Sequence, residues 1–216
     1  MTQLSRQIAA DLLEIKAVFL RPDEPFTWAS GIKSPIYCDN RITYAVPAVR
    51  RHIAQGYVQV IRAKYPQCEA VIGTSTSGIG YAALAAWLME LPTGYVRGGA
   101  KSHGRNNQIE GRVTPGQKVV VVEDLISTAG SVIEVVEALR EAGAEVLGIV
   151  SIFTYDMQKG LDRLAAAAVE NTSLTNFDTL VEVAAQTGYI TEKAIGALKA
   201  FRDTPADGGW IAMLNE

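Results

Sequence analysis

The sequence predicts an α/β fold built on a mostly parallel sheet flanked by helices, and three observations carry that reading. Apolar runs such as VVVV (119–122) and EVLGIVSIF (145–153) are too continuous for strands with one wet face. Between such runs lie stretches of helical character, with apolar residues on a three-to-four spacing. The two kinds of segment alternate from about residue 69 onward without an internal repeat, the order expected when helices cover both faces of a sheet.

Taken in order, Leu4, Ile8, Leu12, Ile15 and Phe19 predict an amphipathic helix over 3–19, closed by Pro22 and Pro25. Residues 26–41, FTWASGIKSPIYCDNR, combine aromatics with a Ser-Gly turn and a proline and predict short strands joined by turns. Pro47 suits the first position of a helix, where its missing N–H costs nothing, and that helix runs to about Tyr65 before Pro66. EAVIG (69–73) predicts a buried strand, followed by a Thr/Ser/Gly loop and an apolar helix from Ile79 to Met89. TGYV (93–96) and VVVV (119–122) are the next strands. Ser131–Ala142 is helical with a Gly143 stop, and 145–153 is again a strand. The last third predicts a helix over 159–168, a short strand near Ser173–Leu174, helices near 177–186 and 191–202, and an undefined tail around Trp210.

One segment breaks the pattern. Residues 97–112, RGGAKSHGRNNQIEGR, hold four glycines, four Lys/Arg, one histidine and, as the one large aliphatic, Ile109. Such a stretch cannot bury enough apolar surface to offset its ordering, so a mobile loop is expected. A solvated hairpin tip and a ligand-closing lid both fit that composition.

Bulk properties narrow the function. A chain of 216 residues suits one domain, 1–216, with a modest extension. The net charge of −3 speaks against a dedicated nucleic-acid binder, which carries a basic face. Cys38 and Cys68 show no metal spacing, and free thiols in a reducing cytoplasm are the default for a chain this long. The N-terminus lacks the apolar run and cleavage site of a signal peptide, and no stretch of about 20 apolar residues predicts a membrane span.

The chemistry concentrates in VVVVEDLISTAGS (119–131). A strand is expected to end at Val122 and a helix to begin near Ser131. The small residues between them let backbone N–H groups converge on an anion at a helix N-terminus. Glu123 and Asp124 would repel a bare phosphate. They make sense for a ligand that also offers hydroxyl donors, a bound cation or developing positive charge, as a phosphorylated ribose does. The bland alternative, one acid capping the helix and the other facing solvent, fits less well at a strand's carboxyl end, where open α/β sheets bind ligands.

VVVVEDLISTAGS resembles the phosphoribosyl-pyrophosphate motif of type I phosphoribosyltransferases. FTWASGIKSPIYCDNR, with its SG-x-KSP core, looks like the N-terminal hood segment of the orotate phosphoribosyltransferases within that group, and RGGAKSHG is similar to their catalytic loop. The likeness continues through FTYDMQKG (153–160) and LTNFDTLVEVA (174–184), so it covers nearly the whole chain. It implies a parallel sheet with a small hood, formed mainly by about 1–45 with C-terminal elements.

The resemblance also implies roles. Phosphoribosyl pyrophosphate would lie along Glu123, Asp124, Leu125, Ile126, Ser127, Thr128, Ala129, Gly130 and Ser131, with the two acids on the ribose hydroxyls and the backbone of 127–131 on the 5′-phosphate. Ser127 and Lys33 would reach orotate. Arg97, Lys101 and His103 would be the catalytic cations on pyrophosphate, the latter two delivered from a partner's 97–112 loop in a homodimer. Mg2+ would bridge ribose hydroxyls and pyrophosphate through substrate oxygens and water, with no protein ligand. Three positions depart from some relatives. Gly98 stands where some have a second cation, Ser77 replaces a lysine in GTSTSG (73–78), and FTYDMQKG holds no arginine for the orotate carboxylate, leaving Arg41 as a candidate or as an ordinary surface arginine.

Rival readings centre on GTSTSGIGYAA. A P-loop fails because Ile79 and Gly80 replace its Lys and Ser/Thr. Gly78, Gly80 and Ala83 match a dinucleotide fingerprint, but Glu90 comes too soon for the ribose, so an NAD-dependent oxidoreductase is the lesser alternative. A non-catalytic nucleotide sensor on the same fold is another, opposed by the acidic balance and the cationic loop. His52, Cys38, Trp28, Tyr37 and Trp87 read as structural residues.

Overall fold

The computed structural model describes residues 2–27, 31–98 and 108–214. The chain begins with α1 (Gln3–Glu14), β1 (Val18–Leu20), β2 (Phe26–Thr27), β3 (Lys33–Ser34), β4 (Ile36–Cys38) and a 3-10 segment (Asn40–Ala45). Next come α2 (Pro47–Lys64), β5 (Ala70–Thr74), α3 (Ser77–Met89), β6 (Thr93–Val96), β7 (Ile109–Glu110) and β8 (Lys118–Ile126). They are followed by α4 (Gly130–Glu141), β9 (Glu145–Thr154), α5 (Gln158–Ala166), β10 (Asn171–Asn176), α6 (Phe177–Gln186), α7 (Ala194–Asp203) and a 3-10 stretch (Gly208–Leu214). The mostly parallel sheet and its alternating helices are as the apolar runs predict.

Residues 51–154 and 159–174 form one compact unit. Its sheet has the order β10-β9-β8-β5-β6-β7, with β6, β5, β8 and β9 mutually parallel and β7 antiparallel at the edge. From β5 the chain winds outward through β6 on one side and, later, through β8, β9 and β10 on the other. The reversal between β5 and β8 is a topological switch point, where the loops leaving two strands diverge and open a crevice. Burial of Ile72, Val119, Val121 and Ile149 against Val136 and Leu139 of α4 forms a core on one face. A strand flanked by β5 and β9 has no wet side, which is why β8 is a run of valines.

Residues 1–50, 155–158 and 175–216 form the second unit. Here β1 pairs antiparallel with β4, β2 with β3, and α1 packs on α6. The Asn176 side chain caps α6 by accepting from Thr179 N–H at 3.0 Å.

Four expectations change. The helix predicted over 3–19 ends at Glu14: Lys16 takes a left-handed φ of 58°, and Val18–Leu20 leaves as a strand paired to Ile36–Cys38. Phe19 therefore belongs to a strand, where β-branched Val18 and aromatic Phe19 fit better than in a helix's last turn. The strand expected to stop at Val122 continues to Ile126, because Glu123, Leu125 and Ile126 remain in register with Ser151, Phe153 and Thr154 of β9. The 97–112 segment is not a loop to its end: Ile109 and Glu110 pair with Val96 and Tyr95 as an antiparallel edge. Trp210 is buried at 2% exposure, its ring edge-on to Phe201 at 5.8 Å, so the tail has a fixed anchor.

Candidate active site

Extension of β8 to Ile126 gives the two acids different degrees of burial. Successive strand residues point to opposite faces, and their surroundings differ accordingly: Glu123 is buried and Asp124 half-buried. Glu123 Oε1 receives the Thr74 hydroxyl at 2.8 Å and the Asp124 N–H at 2.9 Å. The Tyr57 hydroxyl donates to the Glu123 carbonyl at 2.5 Å and fixes its backbone. Burial pushes the Glu123 carboxyl up to about 8, with the neighbouring Asp124 adding to the rise, while the Asp124 N–H and Thr74 pull the other way.

Beyond Ile126, Ser127 and Thr128 form a turn and Ala129 adopts a left-handed φ of 58° immediately before α4. The left-handed step followed by helix turns successive N–H groups toward one point, a concavity that accepts an anion. Gly130 and Ser131 open the helix, whose N-terminus adds about 0.3–1 kcal/mol for a nearby negative charge. All nine residues from Glu123 to Ser131 thus lie along one strand end, turn and helix start.

The neighbouring loop, 73–78, is built on close approach. A Cβ on Gly73 would stand 2.8 Å from the Gly78 carbonyl oxygen, and one on Gly78 would meet the Val122 carbonyl and come within 2.5 Å of Thr74 Oγ1. Gly78 is therefore explained by backbone packing between α3 and β8, without any ligand. The Ser75–Thr76 peptide is cis, and both residues are exposed. Ser75 N–H donates to the Val96 carbonyl at 3.1 Å, and Ser75 Oγ accepts the Gly98 N–H at 2.7 Å. Arg97 follows β6 directly, donates its N–H to the Gln108 carbonyl at 2.9 Å and pairs with Glu110 at 3.2 Å. Thr74 at the end of β5, Ser75 and Gly98 in the loops after β5 and β6, and Glu123 near the end of β8 are thus stitched together toward the carboxyl ends of three adjacent parallel strands. Lys101 and His103 lie outside the described residues.

Two further residues touch the 127–131 turn. Gly160 of α5 leaves no room for a Cβ against the Ser127 carbonyl, and Arg163 Nη1 donates to the Thr128 carbonyl at 3.0 Å. Arg163 forms no ion pair among the described residues, so its exposed guanidinium adds positive charge beside the turn while holding its backbone. Neither residue carries a local signal; Arg163 is 35 positions from Thr128, and only the fold brings them together.

In the second unit, Lys33 stands on β3 with Nζ donating to Thr27 Oγ1 at 2.7 Å. It lines a cavity of about 360 Å³ together with Ile32, Pro205 and Trp210. Arg41 makes a two-toothed pair with Asp39, at 2.6 and 2.7 Å, which holds the Asp39 carboxyl below the usual carboxylate range. Tyr37 packs on Phe26 at 5.7 Å yet keeps 44% exposure, while Trp28 lies outside the described residues.

Residues 43–186 match the family model of the phosphoribosyl transferase domain. The chain is 55% identical over 208 residues to the orotate phosphoribosyltransferase of Bacillus cytotoxicus, covering 96% of this chain and 99% of that one. Among solved structures, the orotate phosphoribosyltransferase of Aeropyrum pernix superposes with a TM-score of 0.73 at 29% identity, covering 85% of this chain and 99% of that one. The UMP synthase of Leishmania donovani gives 0.77 at 28% identity, covering 92% of this chain but only 42% of the longer protein. The NAD-dependent oxidoreductase and the non-catalytic nucleotide sensor lose their ground with these matches, and the chain belongs to the orotate phosphoribosyltransferase family of pentosyltransferases.

Proposed function

We propose that this chain transfers the phosphoribosyl group of phosphoribosyl pyrophosphate to N1 of orotate, forming orotidine 5′-phosphate and pyrophosphate in pyrimidine biosynthesis. The observation that carries the reading is the stitching of three strand ends at the switch point: Thr74 to Glu123 at 2.8 Å and Ser75 to Gly98 at 2.7 Å. The base identity is supported by the 55% identity to a protein of that name.

In this reading the 127–131 backbone holds the 5′-phosphate, Glu123 and Asp124 accept the ribose hydroxyls, and Arg97, Lys101 and His103 neutralise pyrophosphate. Orotate N1 forms its bond to the anomeric carbon as the pyrophosphate oxygen leaves, with inversion. Orotate is already an anion and needs no strong base, and acid–base assistance supplies only about 10²–10⁴-fold. Enzymes lower such barriers by roughly 8–23 kcal/mol, so in-line positioning and charge neutralisation carry most of the rate. Hard oxygen donors suit Mg2+, and the acidic pair gives a substrate-borne cation a favourable field. Such an ion, held by the substrates rather than by protein ligands, would supply charge neutralisation at the departing pyrophosphate. Pyrophosphate release measured over a panel of bases tests the assignment. Turnover with orotate, phosphoribosyl pyrophosphate and Mg2+ is expected, and turnover with a purine alone would overturn it.

The homodimer has a surface to form on. Ala83, Leu84, Trp87 and Leu88 line one side of α3 without a charge among them, and Trp87 is 76% exposed. An uncharged apolar stripe is self-complementary about a two-fold axis, since no like charges meet. A stable pair buries about 800 Å² per partner, and this stripe would form its centre. The substitution Trp87→Glu is expected to shift the protein to monomer in sedimentation velocity. A dimer of unchanged affinity would remove this face from the interface.

A further inference from the structure

Thr74 sits at the end of β5, is 3% exposed, and lies on a different strand from the acid it touches, which is in β8. Its hydroxyl has one proton and two acceptors in reach: Glu123 Oε1 at 2.8 Å and the Val122 carbonyl at 3.3 Å. Both acceptors cannot be served at once. When Glu123 is ionised, Thr74 donates to the carboxylate beside the Asp124 N–H, and the second carboxylate oxygen remains available for a ligand hydroxyl. When Glu123 is protonated, its O–H donates to Thr74 Oγ1 and the threonine proton turns to the Val122 carbonyl. Each state leaves the Thr74 hydroxyl and Glu123 Oε1 with a partner, which buried polar groups require.

We infer that Thr74 is a positioning residue that seats Glu123 in either protonation state and stabilises the ionised one for gripping the ribose. This rests on the ribose role proposed for Glu123. Closeness of Gly78 to Thr74 Oγ1 and the Tyr57 bond to the Glu123 carbonyl hold the trio in place. The titratable groups around Glu123 are Asp124 on its own strand and Tyr57 on α2, while β5 presents Thr74 and the β9 register partner is Ser151. With the carboxyl raised to about 8, the site is mostly protonated at neutral pH, and a ligand that needs the ionised form binds more tightly as pH rises toward that value.

The test is the KM for phosphoribosyl pyrophosphate and kcat from pH 6 to 9.5, with excess Mg2+, in wild type, Thr74→Val, Thr74→Ser and Glu123→Gln. In Thr74→Val the pH at which KM falls should move up by about one unit, raising KM near neutrality about tenfold with little change in kcat. Thr74→Ser, which keeps the hydroxyl, should restore both. A Thr74→Val profile superimposable on wild type would overturn the inference while leaving the ribose role intact. If Glu123→Gln keeps the wild-type KM at pH 9, the ribose role itself falls. Calorimetry of substrate binding in buffers of different ionisation heat needs no variant of Thr74. Wild type at pH 7 should release on the order of one proton more than Glu123→Gln, and equal release would overturn the inference even if Thr74→Val did not fold.

Discussion

Replacing Lys101 by alanine is expected to lower kcat by about 10²–10³-fold, the usual consequence of removing one preorganised charge partner from a transition state. The thermal midpoint should stay within about 1 °C of wild type, because RGGAKSHGRNNQ gives the lysine almost nothing apolar to pack against. The contrast between the two effects is the point. A lysine acting through the fold would lower stability and activity together, whereas one that closes over pyrophosphate changes turnover alone. In the proposed mechanism charge neutralisation and water exclusion would both fail when this cation is lost. Steady-state kinetics beside a melting curve decides the matter, and an unchanged kcat would remove the lid from the mechanism. Arg97 is the weaker lever in the proposed chemistry, since it pairs with Glu110 at 3.2 Å.

Much of this site is legible in the sequence because its parts are local. Four valines followed by two acids and a run of small hydroxyl and glycine residues report a buried strand, a carboxylate pair and an anion-binding turn within 13 consecutive positions, 119–131. What the run of letters does not report is where the strand stops. The pairing of Leu125 and Ile126 with Phe153 and Thr154 depends on β9, and that pairing turns Glu123 inward and leaves Asp124 half-exposed. Periodicity misled at Phe19, where a three-to-four spacing continued by chance past the helix end at Glu14 into a strand.

Residues that act across the chain were hidden for a different reason. Thr74 and Gly160 lie in the quoted GTSTSG and FTYDMQKG segments and Arg163 in none, but each matters through a partner, at Glu123, Ser127 and Thr128 respectively, that only the sheet order and the α5 packing bring near. The exposure of Trp87 was hidden for another reason: an apolar helix such as α3 carries no polar face in its sequence, so the 76% exposure of Trp87 appears only in the structure.

The largest effect on stability is expected from Gly78→Ala. Alanine is the better helix former by about 1 kcal/mol, so propensity alone predicts a gain at this position in the first turn of α3. Sterics point the other way. The added Cβ would collide with the Val122 carbonyl oxygen and come within 2.5 Å of Thr74 Oγ1, and neither is the loose end of a flexible side chain. Relief requires α3 to move away from β8, which undoes packing across the 73–78 loop. Overpacking of this kind costs about 1–3 kcal/mol and more where backbone must shift, so a net loss of about 3 kcal/mol is expected, roughly 6–12 °C in the midpoint at this size. Gly196→Ala is the matching control. That glycine lies in α7 with an ordinary φ and its Cβ would meet only the Met213 methyl at 3.6 Å, so the same substitution there should stabilise by about 0.5–1 kcal/mol. Opposite shifts in the two melting curves would show that close approach between loop and strand, and not helix propensity, dictates Gly78. A Gly78→Ala protein as stable as wild type would mean that the 73–78 loop can yield, and with it the seat that Thr74 makes for Glu123.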